Sequence, residues 1–474
     1  MKRFTSACLA LVSACIAVAQ LRAARPQYGG TLRMSTAGVI RSSNPSTQPA
    51  DAADAAIRDR VLPLVFETLT RVDADAGLQP LLATSWSRDA RAQRWTFRLR
   101  PAVILHDGAT LEPWQVAASI RAVESRWRVT TDGDALIVEP SEPVDDLPWR
   151  LADVSHAIAI RSGDQLLGTG PFRIDRLDAA SLTLRAHDAH HDGRPFLDAV
   201  DVQMGRALGA QLADLESGRA DIANVQATDV RRIVQRGMRL VSTKPSELVA
   251  IVFEPHRTAD AFAPVRRSLA AAIDRRTMSA VLLQQQASPA FGVLPAWISG
   301  YTIPEPDRRQ VLARSAIGAL TVDQRELALR VDASDAAAQA IAERIAVDAR
   351  EAGFSIKVQA PTGLAPRPDA RLIRVRVLPT TPERALSDAF AKLRPRGGDR
   401  SGDTAPIASL DDVLRAEAAF VDRSIVIPVV HLPDLYAAAD RVSSWQSKPV
   451  LGTGGWNLAD VWIRAAQPGQ PGQR

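Results

Sequence analysis

Three short clusters hold the residue types that do chemistry. His187, His190 and His191 stand with Asp188 and Asp192 in an H-x-x-H-H spacing, the one metal-like cluster, and imidazoles so spaced suit Ni²⁺ or Zn²⁺. His106-Asp107-Gly108 pairs a base with a carboxylate, half of a nucleophilic triad, but no Gly-x-Ser-x-Gly elbow accompanies it. Gly168-Thr169-Gly170 is too short for a phosphate loop and lacks its lysine. Both cysteines, Cys8 and Cys15, lie in the first 24 residues, so the rest of the chain offers no thiol nucleophile, disulfide or Cys-ligated metal. No enzyme and no cofactor are expected. The histidine loop carries no evident outer partners, and a mobile loop without them holds a metal weakly. It is expected to be solvated, with His187, His190 and His191 as weak metal candidates only.

The elements that position these residues read clearly. Trp95, Phe97 and Leu99 alternate as a strand with one buried face. His106-Asp107-Gly108 then turns the chain, and Pro113 opens a helix with Val116, Ile120 and Val123 on one side and Glu112 at its cap. Asp51 to Leu69 reads as a helix, and Leu212 to Ile222 as a helix closed by Gly218 and followed by Ala220-Asp221-Ile222. Leu248 to Glu254 is a fully apolar strand of buried type. In the helix that follows Phe262, Val265, Leu269, Ala272 and Ile273 face inward, and Arg266, Arg267 and Arg275 outward. Leu327–Val331, a helix from Ala336 to Gly353 and Phe354–Val358 form a βα unit. Trp86 and Trp95 belong to a core.

The 474 residues are 46% hydrophobic and 23% charged, enough for two or three domains. Lys2, Arg3 and Arg22 precede residue 25, and 58 basic residues less these three leave 55 against 53 acidic ones. With no basic run or basic-aromatic stripe, nucleic acid is not a partner. Lys2 and Arg3 followed by the apolar Phe4 to Ala19 read as a secretion signal over residues 1–24. The favoured outcome is soluble export; the rival is Val12-Ser13-Ala14-Cys15 as a lipoprotein box lipidated at Cys15.

The ordered series Phe66-Glu67-Thr68-Leu69, Leu82-Ala83-Thr84-Ser85-Trp86, His106-Asp107-Gly108, Gly168-Thr169-Gly170-Pro171-Phe172 and the Leu212–Ile222 element resembles the family-5 extracytoplasmic solute-binding proteins of peptide- and nickel-type ABC transporters. Phe262 to Arg275 and the return segment Ile425 to Ala437 extend the likeness. It implies an α/β, bilobal periplasmic binding protein of the cluster-C type, with a hinge and an extra subdomain in the first lobe. The implied division is a signal peptide at 1–24, first lobe at 28–60, inserted subdomain at 61–164, first lobe again at 165–250, second lobe at 251–428 and first lobe at 429–465. A disordered tail at 466–474 ends the chain. The crossings between lobes fall near Ile251 and Pro428.

The resemblance also implies capture of a peptide or similar small solute, delivery to an inner-membrane ABC permease, and a monomer in the periplasm. Within it His106-Asp107-Gly108 is a structural turn and the His187–His191 stretch a surface loop. Ser35, Thr36, Leu294, Trp297, His431 and Tyr436 are the candidate cleft residues. Between Ala360 and Asp411 the resemblance fails, and Pro, Gly and Arg there suggest a loop between short elements. The aspartate that grips a peptide amine in relatives belongs to that stretch, so no residue inherits its role. A repurposed sensor or partner-binding module and a nickel carrier are the alternatives.

Overall fold

The computed structural model describes residues 26–464 apart from 76, 90–92, 306–319, 334, 361–366, 395–406, 408 and 446–448. The signal segment 1–24 with Cys8 and Cys15, and the tail 466–474, lie outside the described residues.

Two large sheets carry the architecture. The first has seven strands in the order Phe172–Leu177, Ser181–Ala186, Ala199–Gln203, Thr31–Ser35, Ile222–Asn224, Leu435–Ala438 and Arg239–Ser242. Thr31–Ser35 lies mid-sheet, parallel to both neighbours, because Leu32 and Met34 are buried on one face. On the other face Arg33 reaches Asp221 at 2.9 Å. The second sheet has six strands, Ser288–Pro289, Val426–Leu432, Glu247–Phe253, Ala370–Arg376, Glu326–Arg330 and Ser355–Gln359. Its Glu247–Phe253 strand is apolar on both faces because both are covered. Val249, Ile251 and Phe253 meet Ile341 and Ile345 of the Ala336–Glu351 helix, and Leu248, Ala250 and Val252 meet Leu386, Ala389 and Leu393 of the Pro382–Leu393 helix.

A third, four-stranded antiparallel sheet orders Ala83–Asp89, Arg94–Leu99, Ala135–Glu139 and Arg128–Asp132 over the Pro113–Val123 helix. Its core holds Trp95, Phe97 and Leu99 with Val116 and Ile120, and Trp86 packs at its edge. Glu112 works as a cap because Gln115 Oε1 accepts its backbone N–H at 2.8 Å.

The structure corrects several expectations. The first helix runs only Ala52–Val61; Pro63, which lacks an N–H, lies in a single 3₁₀ turn at Leu62–Leu64, and the chain beyond extends. The element expected at Leu212–Ile222 is a helix at Leu208–Glu216, closed by the left-handed Gly218, then a strand. The stretch 360–411, expected as a loop between short elements, supplies a seven-residue strand, Ala370–Arg376, inside the second sheet and the 12-residue Pro382–Leu393 helix. Arg266 and Arg275 point inward. Arg266 donates to the carbonyls of Arg257, Ala259 and Arg423, and Arg275 to those of Pro428, Ala270 and Ile273. Chain ends meeting there leave carbonyls that only a five-donor fork satisfies together.

Candidate functional site

The chain passes from the first sheet to the second through residues 243–246, between Arg239–Ser242 and Glu247–Phe253, and returns at Pro433-Asp434, between Val426–Leu432 and Leu435–Ala438. These points lie a few residues from the expected Ile251 and Pro428. The two passages are bonded side by side: Thr243 N–H donates to the Asp434 carbonyl at 3.1 Å, and Asp434 N–H to Thr243 Oγ1 at 2.9 Å. The Asp434 carboxylate accepts from Arg60 at 3.0 Å, on the first lobe's Ala52–Val61 helix, and from Arg376 at 3.2 Å, at the end of a second-lobe strand. Burial alone would raise this carboxyl, but Arg376 and Arg60 outweigh burial and hold it at about 2.

A cavity opens on each side of this hinge. One, of about 230 Å³, is walled by Thr36, Arg60, Asn224 and Gln226 from the first lobe and by Gln286 and Arg374 from the second. Arg60 Nε is buried without a hydrogen-bond partner among the described residues, a donor that burial leaves unsatisfied. Arg374 is anchored by Glu247 and, at 2.9 Å, by Asp335. The other cavity, of about 210 Å³, has Asp59, Trp149 and Asp153 on one side and Arg376, Arg384 and Lys392 on the other. Burial pushes the Asp59 carboxyl up to about 6, with Arg376 opposing and Asp153 adding. Arg384 bridges to Asp146 of the inserted subdomain at 2.5 Å.

Of the six residues expected to line a cleft, Thr36 alone lines either of these cavities. Ser35 is buried, with Oγ 3.5 Å from Asp214. Leu294 sits in the second-lobe core, its N–H on Glu417 Oε1 at 2.7 Å. Trp297 donates to the Pro245 carbonyl at 2.6 Å under the Lys244 ammonium and braces the hinge. His431 is buried and bonded to the Val293 carbonyl at 3.0 Å; burial lowers its pKa to about 4, leaving a neutral core imidazole. Tyr436 is fully buried and accepts from Trp456 Nε1 at 3.3 Å. Leu294, Trp297, His431 and Tyr436 are large and apolar or neutral, so packing claims them. The residues that do face the cavities give no local signal, because Arg60, Arg374 and Arg376 are each matched to an acid remote in sequence and Asp59 feels the distant Arg376.

The histidine loop is not solvated. His187 and His190 are buried, and only 5% of the His191 side chain is exposed. His190 and His191 meet Glu67, a residue of the Phe66–Leu69 motif, while His187 instead donates to the Gly170 carbonyl at 3.1 Å. Burial would raise the Glu67 carboxyl, but the bonds to both imidazoles hold it at about 2. His106 belongs to the same seam as a turn residue. Its Nδ1 accepts from Gly168 N–H, its Nε2 donates to Gly170 O, and burial lowers it to about 4.

A family model described as bacterial extracellular solute-binding proteins, family 5, middle region, matches residues 77–371. Among solved structures, a substrate-binding protein, CtaP, of an ABC transporter from Listeria monocytogenes aligns with TM-score 0.73 at 15% identity, over 92% of this chain and all of that one. NikA from Staphylococcus aureus, solved with Ni(L-His)₂, aligns with TM-score 0.71 at 16% identity over 92% of this chain and 100% of its own. The oligopeptide-binding protein AppA from Bacillus subtilis, solved with a nonapeptide, gives 0.67 at 16% identity over 93% and 100%. Identities this low speak for the fold, which is that of bilobal periplasmic binding proteins. The transcriptional regulator SgrR of Yersinia pestis is 26% identical over 252 residues, 49% of this chain and 43% of the regulator. The chain thus spans less than half the length of the curated relatives it matches. Among the described residues, no helix is long and apolar enough to cross a membrane.

Proposed function

The chain belongs to the bacterial extracellular solute-binding proteins of family 5, and from that premise we propose that it captures a peptide or similar small solute between its lobes and delivers it to an inner-membrane ABC permease. The family and its fold are those of non-enzymatic, extracytoplasmic substrate-binding proteins. The observation that carries the reading is the cavity of about 230 Å³ whose wall is shared by the two lobes, with Arg60, Asn224 and Gln226 on one side and Gln286 and Arg374 on the other. Two guanidinium groups in that wall favour a solute that presents a carbonyl or carboxylate, and Asn224, Gln226 and Gln286 add amides that pair with a peptide backbone. The volume is below the roughly 300–1,000 Å³ of ordinary ligand sites, which favours a short solute. Export by residues 1–24 as a soluble monomer, with Cys15 unlipidated, completes the proposal.

Mass spectrometry of small molecules released by denaturing the purified protein tests it. A peptide or comparable solute near one per chain is expected. None released, together with no thermal stabilisation by di- to pentapeptides, would refute capture and leave the sensor reading. That second reading is favoured by one observation, that the matched curated relatives are transcriptional regulators.

A further inference from the structure

We propose that Glu67, His190 and His191 form a binding site for one divalent transition-metal ion of the Zn²⁺ or Ni²⁺ class, resident in the first lobe and separate from the solute site. One ligand atom from each of the three lies within 4.8 Å of the others. Glu67 Oε1 is 3.3 Å from His190 Nε2 and 3.0 Å from His191 Nε2, and Oε2 is 3.1 Å from His191 Nε2. Two ligands each about 2.0–2.1 Å from a zinc ion stand roughly 2.9 Å apart at a right angle and roughly 3.4 Å apart at a tetrahedral one. The Glu67–imidazole separations fall in that range, and the ligand atoms of the two imidazoles lie within 4.8 Å of one another, close enough for a small ion to draw the three together.

The far side of each ring decides what the near side offers. His190 Nδ1 faces the Gly193 carbonyl at 3.3 Å, and His191 Nδ1 faces Asp192 Oδ1 at 3.2 Å. Both outer partners are acceptors, so each Nδ1 carries a proton. In the neutral ring the Nε2 lone pair then points at Glu67. Carboxylate–histidine and carbonyl–histidine pairs of this kind orient metal-bound imidazoles. Two nitrogen lone pairs and a carboxylate converging in a buried place repel one another unless a cation sits among them. That cation is either a metal ion or an added proton on each ring, and the experiment below separates the two.

The surroundings suit the metal. A cavity of about 650 Å³ reaches Glu67, His190 and Asp192, giving an ion a way in and room for a water as fourth ligand. Glu67, His190 and Asp192 line neither inter-lobe cavity, although the 650 Å³ cavity borders the smaller of the two at Ala152, Val154 and Thr453, so an ion held by them is a fixture of the lobe, not cargo. The ligands come from two segments more than 120 positions apart, and the ion would fasten the 187–193 loop to the extended segment just before the Thr70–Val72 strand. The loop alone, with two imidazoles, lacks the anionic third ligand; Glu67 supplies it.

The test uses the untagged full chain after removal of metal with EDTA. Calorimetry and elemental analysis with Zn²⁺, and separately Ni²⁺, should give one ion per chain, and Co²⁺ should develop visible d–d bands. Glu67→Gln and His191→Ala should weaken binding at least tenfold, and Asp192→Asn, which touches no metal, by roughly 10–100-fold. The melting temperature of the unmodified chain should rise with Zn²⁺ and fall back with EDTA, a readout that survives if a variant fails to fold. No stoichiometric uptake and no thermal shift for the unmodified chain would overturn the site and assign the cluster to an imidazolium–carboxylate pair. Uptake unaffected by the Glu67 and His191 variants would overturn it equally.

Discussion

Replacing Asp434 with Asn should loosen the hinge measurably. The carboxylate is the meeting point of Arg60 and Arg376, one from each lobe, and is 14% exposed beside partners at 15% and 27%. At that burial the charge–charge attraction is little screened by solvent. Its pKa falls from an ordinary value near 3.9 to about 2, a shift worth roughly 2–3 kcal/mol at neutral pH. Breaking a buried ion pair from one side costs roughly 3–5 kcal/mol. Asn keeps one acceptor oxygen, so a loss of about 2–4 kcal/mol is expected.

The sign of the pH dependence follows from the direction of the shift. A depressed carboxyl contributes stability above its unfolded pKa and loses it as pH falls toward the folded one. The gap between the unmodified chain and the variant should therefore be full above about pH 5, be about halved by pH 3 and vanish near 2. Urea unfolding followed by tryptophan fluorescence at pH 7, 5 and 3 measures it, with Arg376→Met completing a double-mutant cycle. A loss below about 0.5 kcal/mol at pH 7, or a gap constant from pH 7 to 3, would refute the reasoning.

Four further outcomes are expected. Gly168→Ala should abolish soluble expression, since a Cβ there would stand 2.0 Å from the Val65 carbonyl oxygen, whereas Gly193→Ala, with nothing within 4 Å, should cost only the left-handed strain of about 1–2 kcal/mol; circular dichroism and yield compare them. Arg266→Met should lose about 2–4 kcal/mol in urea unfolding by stranding the carbonyls of Arg257, Ala259 and Arg423, and Arg266→Lys should not restore it. Asp59→Asn should stabilise the protein by about 1–3 kcal/mol at pH 7.5 and by little at pH 4, because a raised carboxyl favours folding below its unfolded pKa and loses that as pH rises through about 6; melting temperatures at the two pH values decide. Gln286→Trp should fill the inter-lobe cavity and weaken binding of the co-purifying solute at least tenfold by calorimetry, and an unchanged Kd would place the solute elsewhere.

Segments whose environment is local were legible in the sequence. Trp95, Phe97 and Leu99 announce a half-buried strand, and Leu248 to Phe253 a strand covered on both faces, because hydrophobic period alone sets both. Arg266 fails that test. Its place on the helix wheel borders the polar side, and it turns inward because carbonyls up to 157 positions away need donors. His190 and His191 fail it too: a loop rich in His, Asp and Gly looks solvated until Glu67, 123 positions earlier, is brought against it.

The Ala370–Arg376 strand shows the same principle in sharper form. Pro, Gly and Arg across 360–411 suggest a loop between short elements, and Arg371, Arg374 and Arg376 hide the strand among them, since unpaired arginines do not enter a sheet interior. Each, however, meets an acid of another segment: Arg371 meets Glu254 at 2.6 Å, Arg374 meets Glu247, and Arg376 meets Asp434 at 3.2 Å. Glu247 and Glu254 bracket the adjacent Glu247–Phe253 strand, so the arginines and acids interlock across two central strands while Ala370, Leu372 and Val375 fill the core. The motifs that identify the family are of a different kind. Val65 accepts the Gly170 N–H at 3.0 Å, Gly168 and Gly170 leave no room for a side chain against Leu64 and Val65, and His106 bonds to both glycines. Sterics at that seam tolerate one residue type per position, which is why the seam names a family. In the walls of the inter-lobe cavities Gly38 alone of the glycines meets such a demand, while the polar side chains, Asn224, Gln226 and Gln286 among them, are free to differ with the solute, so the residues that choose a ligand carry no signature that a single sequence exposes.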